Sequence, residues 1–238
     1  MTMSVYNLIS QYILIIGSIV ALVFLAVAGN EKRAAAGLTR QNWKSAVLIV
    51  LAFVGIYIVR TVVSVAVQGV SDGSGMQHVK EWAAMFKNPM MWLNIAALPI
   101  NYFFVFIAFF GEEYGWRYYL QPVLQKRFGL RAGVIILGIV WGLWHIPDDL
   151  FYYTQTSGIQ MIFAQQITCI SLGIFFAYAY MKTQNIWVPV CLHYLNNNLI
   201  PIISGTFSAD ALENQTVSWK DLPVALVLNG LCFGFFLL

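Results

Sequence analysis

Apolar stretches of about 20 residues recur along this chain, the length a helix needs to cross the hydrocarbon core of a bilayer. They run roughly from Tyr6 to Ala28, Ser45 to Val67, Met90 to Phe110, Ala132 to Pro147, Ile159 to Met181, Ile186 to Ile203 and Leu222 to Leu238. Within lipid every backbone N–H and C=O must be satisfied internally, which leaves helices or closed barrels. Unbroken runs of this length, without period-two alternation, mean helices. The expected fold is therefore all-α, a polytopic transmembrane helix bundle of about seven spans. Composition agrees: 60% of the 238 residues are hydrophobic and 10% are charged, against about a quarter charged in a soluble domain. No polar stretch is long enough to form a second unit, so residues 1–238 read as a single integral membrane domain.

The loops set an orientation. Lys32 to Lys44, then Lys126, Arg127 and Arg131, then Lys182 fall on one side, while Asp72, Asp148, Asp149, Asp210 and Glu213 fall on the other. Cytoplasmic loops carry the excess of Lys and Arg, so the N-terminus is expected outside. No cation precedes the first run, so it reads as an uncleaved anchor rather than a signal peptide. The net charge of +3 arises from these loop residues and gives no reason to expect a nucleic-acid partner. Between the second and third runs, Ser71 to Gly75 reads as a loop and Val79 to Phe86 as a short surface helix. Arg60 reads as a snorkelling or helix-pairing residue. Cys169, Cys191 and Cys232 show no metal spacing or disulfide framework, and His78 sits in a polar connection as an incidental residue.

Chemistry concentrates at the end of the third run, in Gly111-Glu112-Glu113-Tyr114-Gly115-Trp116-Arg117. An ionisable group inside a membrane segment is a functional hypothesis by default. On a helix Glu113 and Arg117 are i,i+4 neighbours able to neutralise each other, whereas Glu112 has no such partner. The apolar period continues through Trp116, Tyr119, Leu120, Val123 and Leu124, so the helix should pass Pro122 and end near Arg127, before Phe128-Gly129. Counting back from Gly129 to Glu112 and forward to His145 gives nearly equal lengths, roughly 24–26 Å along each helix. An antiparallel hairpin would then set the two at matching depth. His193 and Asn197 are i,i+4 on one face, and Trp141, four residues before His145, can wall the same pocket. Asn196 and Asn198 are expected to point away and to pack or mark a boundary.

These residue types suit carbonyl hydrolysis. A carboxylate and an imidazole together can deprotonate a water, and a second imidazole and an amide can donate to a developing oxyanion. Metal ligation is the alternative use of the same groups: Glu112, His145 and His193 on separate helices, with an open position for water, would suit zinc. No His-Glu-x-x-His motif is present. The plain reading of Glu113 and Arg117 is a structural ion pair.

Glu112-Glu113-x-x-x-Arg117, Trp141-x-x-x-His145 and His193-x-x-x-Asn197, in that order on three expected helices, resemble the CAAX protease and bacteriocin-processing (CPBP or Abi) family. That family includes the type II CAAX prenyl endopeptidases. The resemblance covers a protease-like core of about residues 100–205. It implies Glu112 as the water-activating base, His145 as its assistant, His193 and Asn197 as the oxyanion site, and Glu113 and Arg117 as supporting residues. The second motif is often written with Phe first; Trp141 stands there, which bears on pocket width. Members are described both as glutamate-type and as metal-dependent, so the implied cofactor is either none or zinc.

The expected function is an intramembrane endopeptidase in the cytoplasmic membrane of a bacterium, a multi-pass protein bounded by lipid. Its substrate would be a short peptide or a membrane-protein segment, admitted from the cytoplasmic side or laterally from lipid. Maturation of a bacteriocin or pheromone, or self-immunity to a bacteriocin, is the setting the family implies. The alternative is a non-catalytic immunity or scaffold protein that binds a partner through the same polar pocket. A transporter would use the same buried ionisable groups, but no inverted repeat is present to support it. The sequence leaves the oligomeric state open.

Overall fold

The computed structural model describes residues 3–31, 37–71, 73–205 and 213–237. Among them every regular element is a helix, and there is no strand. Lys32, Arg33, Asp72 and Asp210, used above to orient the loops, lie outside the described residues. The helices are α1 (Met3–Val27), α2 (Trp43–Ser71), α3 (Gln77–Met85), α4 (Pro89–Phe128), α5 (Leu130–Trp144), α6 (Ile146–Phe151), α7 (Gly158–Thr183), α8 (Trp187–Ser204) and α9 (Asp221–Phe233).

Four described stretches are long and apolar enough to cross a membrane: Trp43–Ser71, Pro89–Phe128, Leu130–Phe151 and Gly158–Thr183. Ile15–Val27 and Asp221–Phe236 are shorter apolar helices. α8 is not among the four. It carries His193 and three consecutive asparagines, and its buried side chains include Val188, Val190, Leu192, His193, Tyr194 and Leu199. A helix wrapped by protein can hold polar groups that a lipid-facing helix cannot.

α4 is one continuous helix of 40 residues, begun by Asn88, whose side chain accepts from the Met90 N–H, with Pro89 at its first turn. As expected, it runs through Pro122 and stops at Gly129, whose φ of 87° suits glycine. The expected even winding is not found: Tyr114–Leu120 is a π-helical stretch. Pro122 gives the local reason, because in an α-helix its ring would collide with the carbonyl of residue 118 and it offers no N–H. A wider turn just before it relieves both. Phe110, Tyr114 and Tyr118 stack down this turn, with centroids 5.2 and 4.7 Å apart.

α5 and α7 approach closely where neither carries bulk. A Cβ on Gly138 would lie 2.6 Å from Ile170 Cα, and one on Gly173 would lie 3.4 Å from Gly138 Cα. Small residues at a crossing let backbones meet. The aromatic core sits between α2, α7 and α9, where Phe53 is fully buried against Tyr57, Phe175, Phe176 and Phe233. Arg60 pairs helices, as its position suggested: its Nε donates to Asn229 Oδ1 over 2.8 Å.

The two ends of the bundle are each tied across loops. At one end Thr39 donates to the Gln184 carbonyl, Asn42 to the Thr183 carbonyl, and Asn185 to the Gln41 carbonyl. At the other, Trp82 of α3 donates to the Ile203 carbonyl, Gln215 N–H to the Tyr153 carbonyl, and Val217 N–H to Ser157 Oγ.

Candidate active site

Glu113 joins two other ionisable side chains in the interior. It is fully buried, as is Arg117, and its Oε2 accepts from Arg117 Nε at 2.8 Å. Its Oε1 accepts from His193 Nδ1 at 2.9 Å. The guanidinium lies over both the Trp141 and Phe176 rings, 5.2 and 5.4 Å from their centroids, and its Nη1 donates to the Gly173 carbonyl. Cation–π contacts of this kind help a desolvated cation. The Glu113–Arg117 ion pair is thus present, with His193 joined to it as a third member. A carboxylate oxygen only accepts, so His193 Nδ1 carries a hydrogen and the other ring nitrogen, Nε2, is left for the cavity that His193 lines.

That cavity, of about 310 Å³, brings together His145, His193, Asn197 and Trp141, with Asn196 and Cys169 also in its wall. Trp141 stands edge-on to His193, with centroids 5.3 Å apart. His145 is the first residue past α5. Its Nδ1 lies 2.9 Å from the Trp141 carbonyl, an acceptor, so Nδ1 donates and Nε2 keeps a lone pair. Cys169 Sγ lies 3.9 Å from the same Nδ1.

Asn197 is oriented by a chain of hydrogen bonds. Tyr57 OH donates to Asn196 Oδ1 at 2.7 Å, and Asn196 Nδ2 donates to Asn197 Oδ1 at 2.9 Å. With its oxygen engaged, Asn197 keeps its amide N–H groups for the cavity. Asn196 does not point away, as its 100° helical offset implied; it reaches sideways to its neighbour, and a carboxamide is long enough to do so. Asn198 does turn elsewhere, donating to the Tyr194 carbonyl of its own helix.

Glu112 lies apart from this group. It lines a second, largely apolar cavity of about 360 Å³ with Gly17, Gly111, Trp116, Tyr119 and Trp144. Gly111 is required there: Ser18 of α1 donates to the Ile107 carbonyl, and a Cβ on Gly111 would run into the Ser18 backbone. Glu112 is not part of the wall of the polar cavity, which His193 and Cys169 line. Glu112 Oε2, Trp116 Nε1 and Trp141 Nε1 are buried without a hydrogen-bond partner among the described residues. Unsatisfied polar atoms in the walls of the two cavities call for a ligand or solvent to complete them.

Asp149, a flanking loop charge by its place in the sequence, is not in a loop. It is fully buried on α6, and neither carboxylate oxygen has a hydrogen-bond partner among the described residues. The signal for its burial is Pro147, which starts a new helix after His145 and turns the chain back onto α7.

Glu112, His145 and His193 do not form a metal-ligand set in this arrangement. Among the described residues no three His, Cys, Asp or Glu side chains converge on one point, and Glu113, the carboxylate bonded to His193, has both oxygens occupied.

Residues 93–199 match the family described as type II CAAX prenyl endopeptidase Rce1-like. The chain is 30% identical over 121 residues to the CAAX prenyl protease 2 of Methanococcus maripaludis, a match covering 46% of this chain and 43% of that protein. The chain therefore matches less than half of the relative's length. No solved structure matches it.

Proposed function

We propose, from the match of residues 93–199 to the CAAX protease family, that this chain is an intramembrane endopeptidase that hydrolyses a peptide bond with a water activated by Glu112 and His145. The observation that carries the reading is the pair of fixed donors and acceptors around the polar cavity. His145 offers a lone pair at Nε2, while Asn197, its oxygen engaged by Asn196, offers N–H.

The chemistry follows from these roles. Water held by His145 Nε2 in the polar cavity attacks the scissile carbonyl carbon and loses its proton to the Glu112 carboxylate, which must turn from the apolar cavity it lines to take it. The carbonyl π electrons move to oxygen, and that oxyanion accepts from Asn197 Nδ2–H, beside the His193 ring. Collapse breaks the C–N bond, and the leaving amine takes the proton from Glu112. Donors fixed before reaction need no reorganisation as charge develops. Glu113 and Arg117 would hold His193 in place rather than touch substrate. No step passes through zinc, because the residues present do not converge as ligands for it.

The matched endopeptidase family supports a peptide or a membrane-protein segment as substrate; bacteriocin or pheromone maturation, or self-immunity, at the cell membrane is the setting we propose from the sequence resemblance. The test is reconstitution in proteoliposomes with a quenched-fluorescent peptide library. Glu112→Gln should lower kcat by at least about 100-fold, the range of a general base. Cleavage by Glu112→Gln at the wild-type rate would remove Glu112 from the mechanism and favour a binding role for the pocket.

A further inference from the structure

The polar cavity has a definite polarity with respect to the ends of the bundle. Its wall includes Tyr152, Tyr153 and Gln215, and these belong to the loops tied together by the Gln215 to Tyr153 and Val217 to Ser157 hydrogen bonds. Residues 37–42, 128–130 and 183–187, the connections at the other end, contribute nothing to it. The cavity thus reaches from His193 and Leu172 in the interior to one end of the bundle.

The two ends differ in charge. Arg40, Lys44, Lys126, Arg127, Arg131 and Lys182 lie at the end away from the cavity, where Glu31 is the described acid. Residues at the cavity end include Glu81, Asp148, Glu213 and Asp221, against Lys80, Lys87 and Lys220. Short loops rich in Lys and Arg stay in the cytoplasm. Aromatic side chains also gather at the cavity end, with Trp82 against Phe86 and Phe163 against Trp219, as at a membrane–water interface.

We propose that the cavity receives its substrate from the extracytoplasmic side of the membrane, as an extended peptide segment recognised through its backbone. Backbone recognition follows from the wall, which offers Asn, Gln, Thr, Tyr and His groups and, among the described residues, no Lys, Arg, Asp or Glu side chain. This reverses the cytoplasmic access expected from sequence. The side of access stands on the fold and the charge distribution, while the fate of the peptide rests on the hydrolytic reading above.

The experiment separates the two. Thr216→Cys and Lys126→Cys, both at exposed positions, are introduced singly and treated with a membrane-impermeant maleimide in intact cells and after permeabilisation. Thr216→Cys should label in intact cells and Lys126→Cys only after permeabilisation; the opposite pattern overturns the proposal. If either variant fails to accumulate, Ser218→Cys and Arg127→Cys replace the pair. An impermeant quenched peptide is then added to sealed right-side-out and inverted vesicles. Cleavage at least tenfold faster in right-side-out vesicles is expected, and faster cleavage in inverted vesicles overturns the proposal. The expected labelling with no cleavage in either vesicle type or in detergent would leave the orientation standing and sink the hydrolytic reading.

Discussion

The Nδ1 atom of His193 lies 2.9 Å from Oε1 of Glu113, a residue 80 positions earlier in the chain. One carboxylate thereby neutralises a guanidinium on its own helix and fixes the imidazole of another. Stability and site geometry share an atom group here, and substitutions can separate them.

Glu113→Gln leaves Arg117 buried without its counter-charge, a loss of about 3–5 kcal/mol. Glu113→Gln combined with Arg117→Met removes both charges, and thermal melting in detergent should recover most of the lost stability. Peptidase activity should not return with it, because the His193 ring lacks its carboxylate acceptor in both variants. Recovery of activity together with stability would show that the triad is scaffold alone.

Tyr57→Phe keeps the ring packed on Phe53 and Phe233, which lie 4.9 and 5.7 Å away centroid to centroid, but removes the hydroxyl that anchors Asn196. One hydrogen bond of net worth about 1 kcal/mol corresponds to roughly a fivefold fall in kcat if expressed wholly in the transition state. KM should change little. In an Asn197→Ala background the same substitution should have no further effect, since the amide that it positions is gone.

Gly138→Ala and Gly142→Ala test the α5–α7 crossing against each other. A Cβ at 138 meets backbone, Ile170 Cα at 2.6 Å, whereas one at 142 meets the end of the Gln166 side chain at 2.6–2.7 Å. Backbone cannot step aside, so Gly138→Ala should cost about 1–3 kcal/mol. Gly142→Ala should cost less, through displacement of the Gln166 to Gly138 carbonyl hydrogen bond. Denaturation midpoints in one detergent rank the two.

Chelation offers a further check. A zinc enzyme using Glu112, His145 and His193 would need all three within bonding distance of one ion, and Glu112 lines a different cavity from the two histidines. Proteoliposomes treated with phenanthroline and passed over a desalting column should keep their cleavage rate. Loss of cleavage restored by added zinc would mean that the three residues converge in the working state.

The bundle is legible in the sequence because the run lengths, the loop charges and the stop at Gly129 are local signals. Arg60 as a helix-pairing residue is legible for the same reason, since a cation inside an apolar run must find something polar. The bond from Glu113 to His193 is not, because it joins helices whose azimuths depend on every turn between them. The π-helical stretch is where that accounting slips. Its wider winding shifts the phase that an α-helical count assigns to Glu112, which is why matching depth with His145 did not place the two in one cavity. Asn196 was missed for a smaller reason: helical wheels describe Cβ directions, and a carboxamide can reach its neighbour along the helix. The burial of Asp149 needed the turn after His145, which a run of hydropathy does not show.

The wide turn at Tyr114–Leu120 has a consequence for how this stretch can vary. Winding i→i+5 instead of i→i+4 accommodates one residue more than an α-helix of equal height. Deleting one residue there would let the helix rewind as α with its two flanks at nearly the same relative azimuth, whereas deleting one from the α-helical stretches on either side would swing everything before it by about 100° against everything after it. Glu112 and Glu113 stand before the turn and Arg117 stands within it. The wide turn is therefore a place where α4 can lose a residue without turning the two glutamates away from the helices they face.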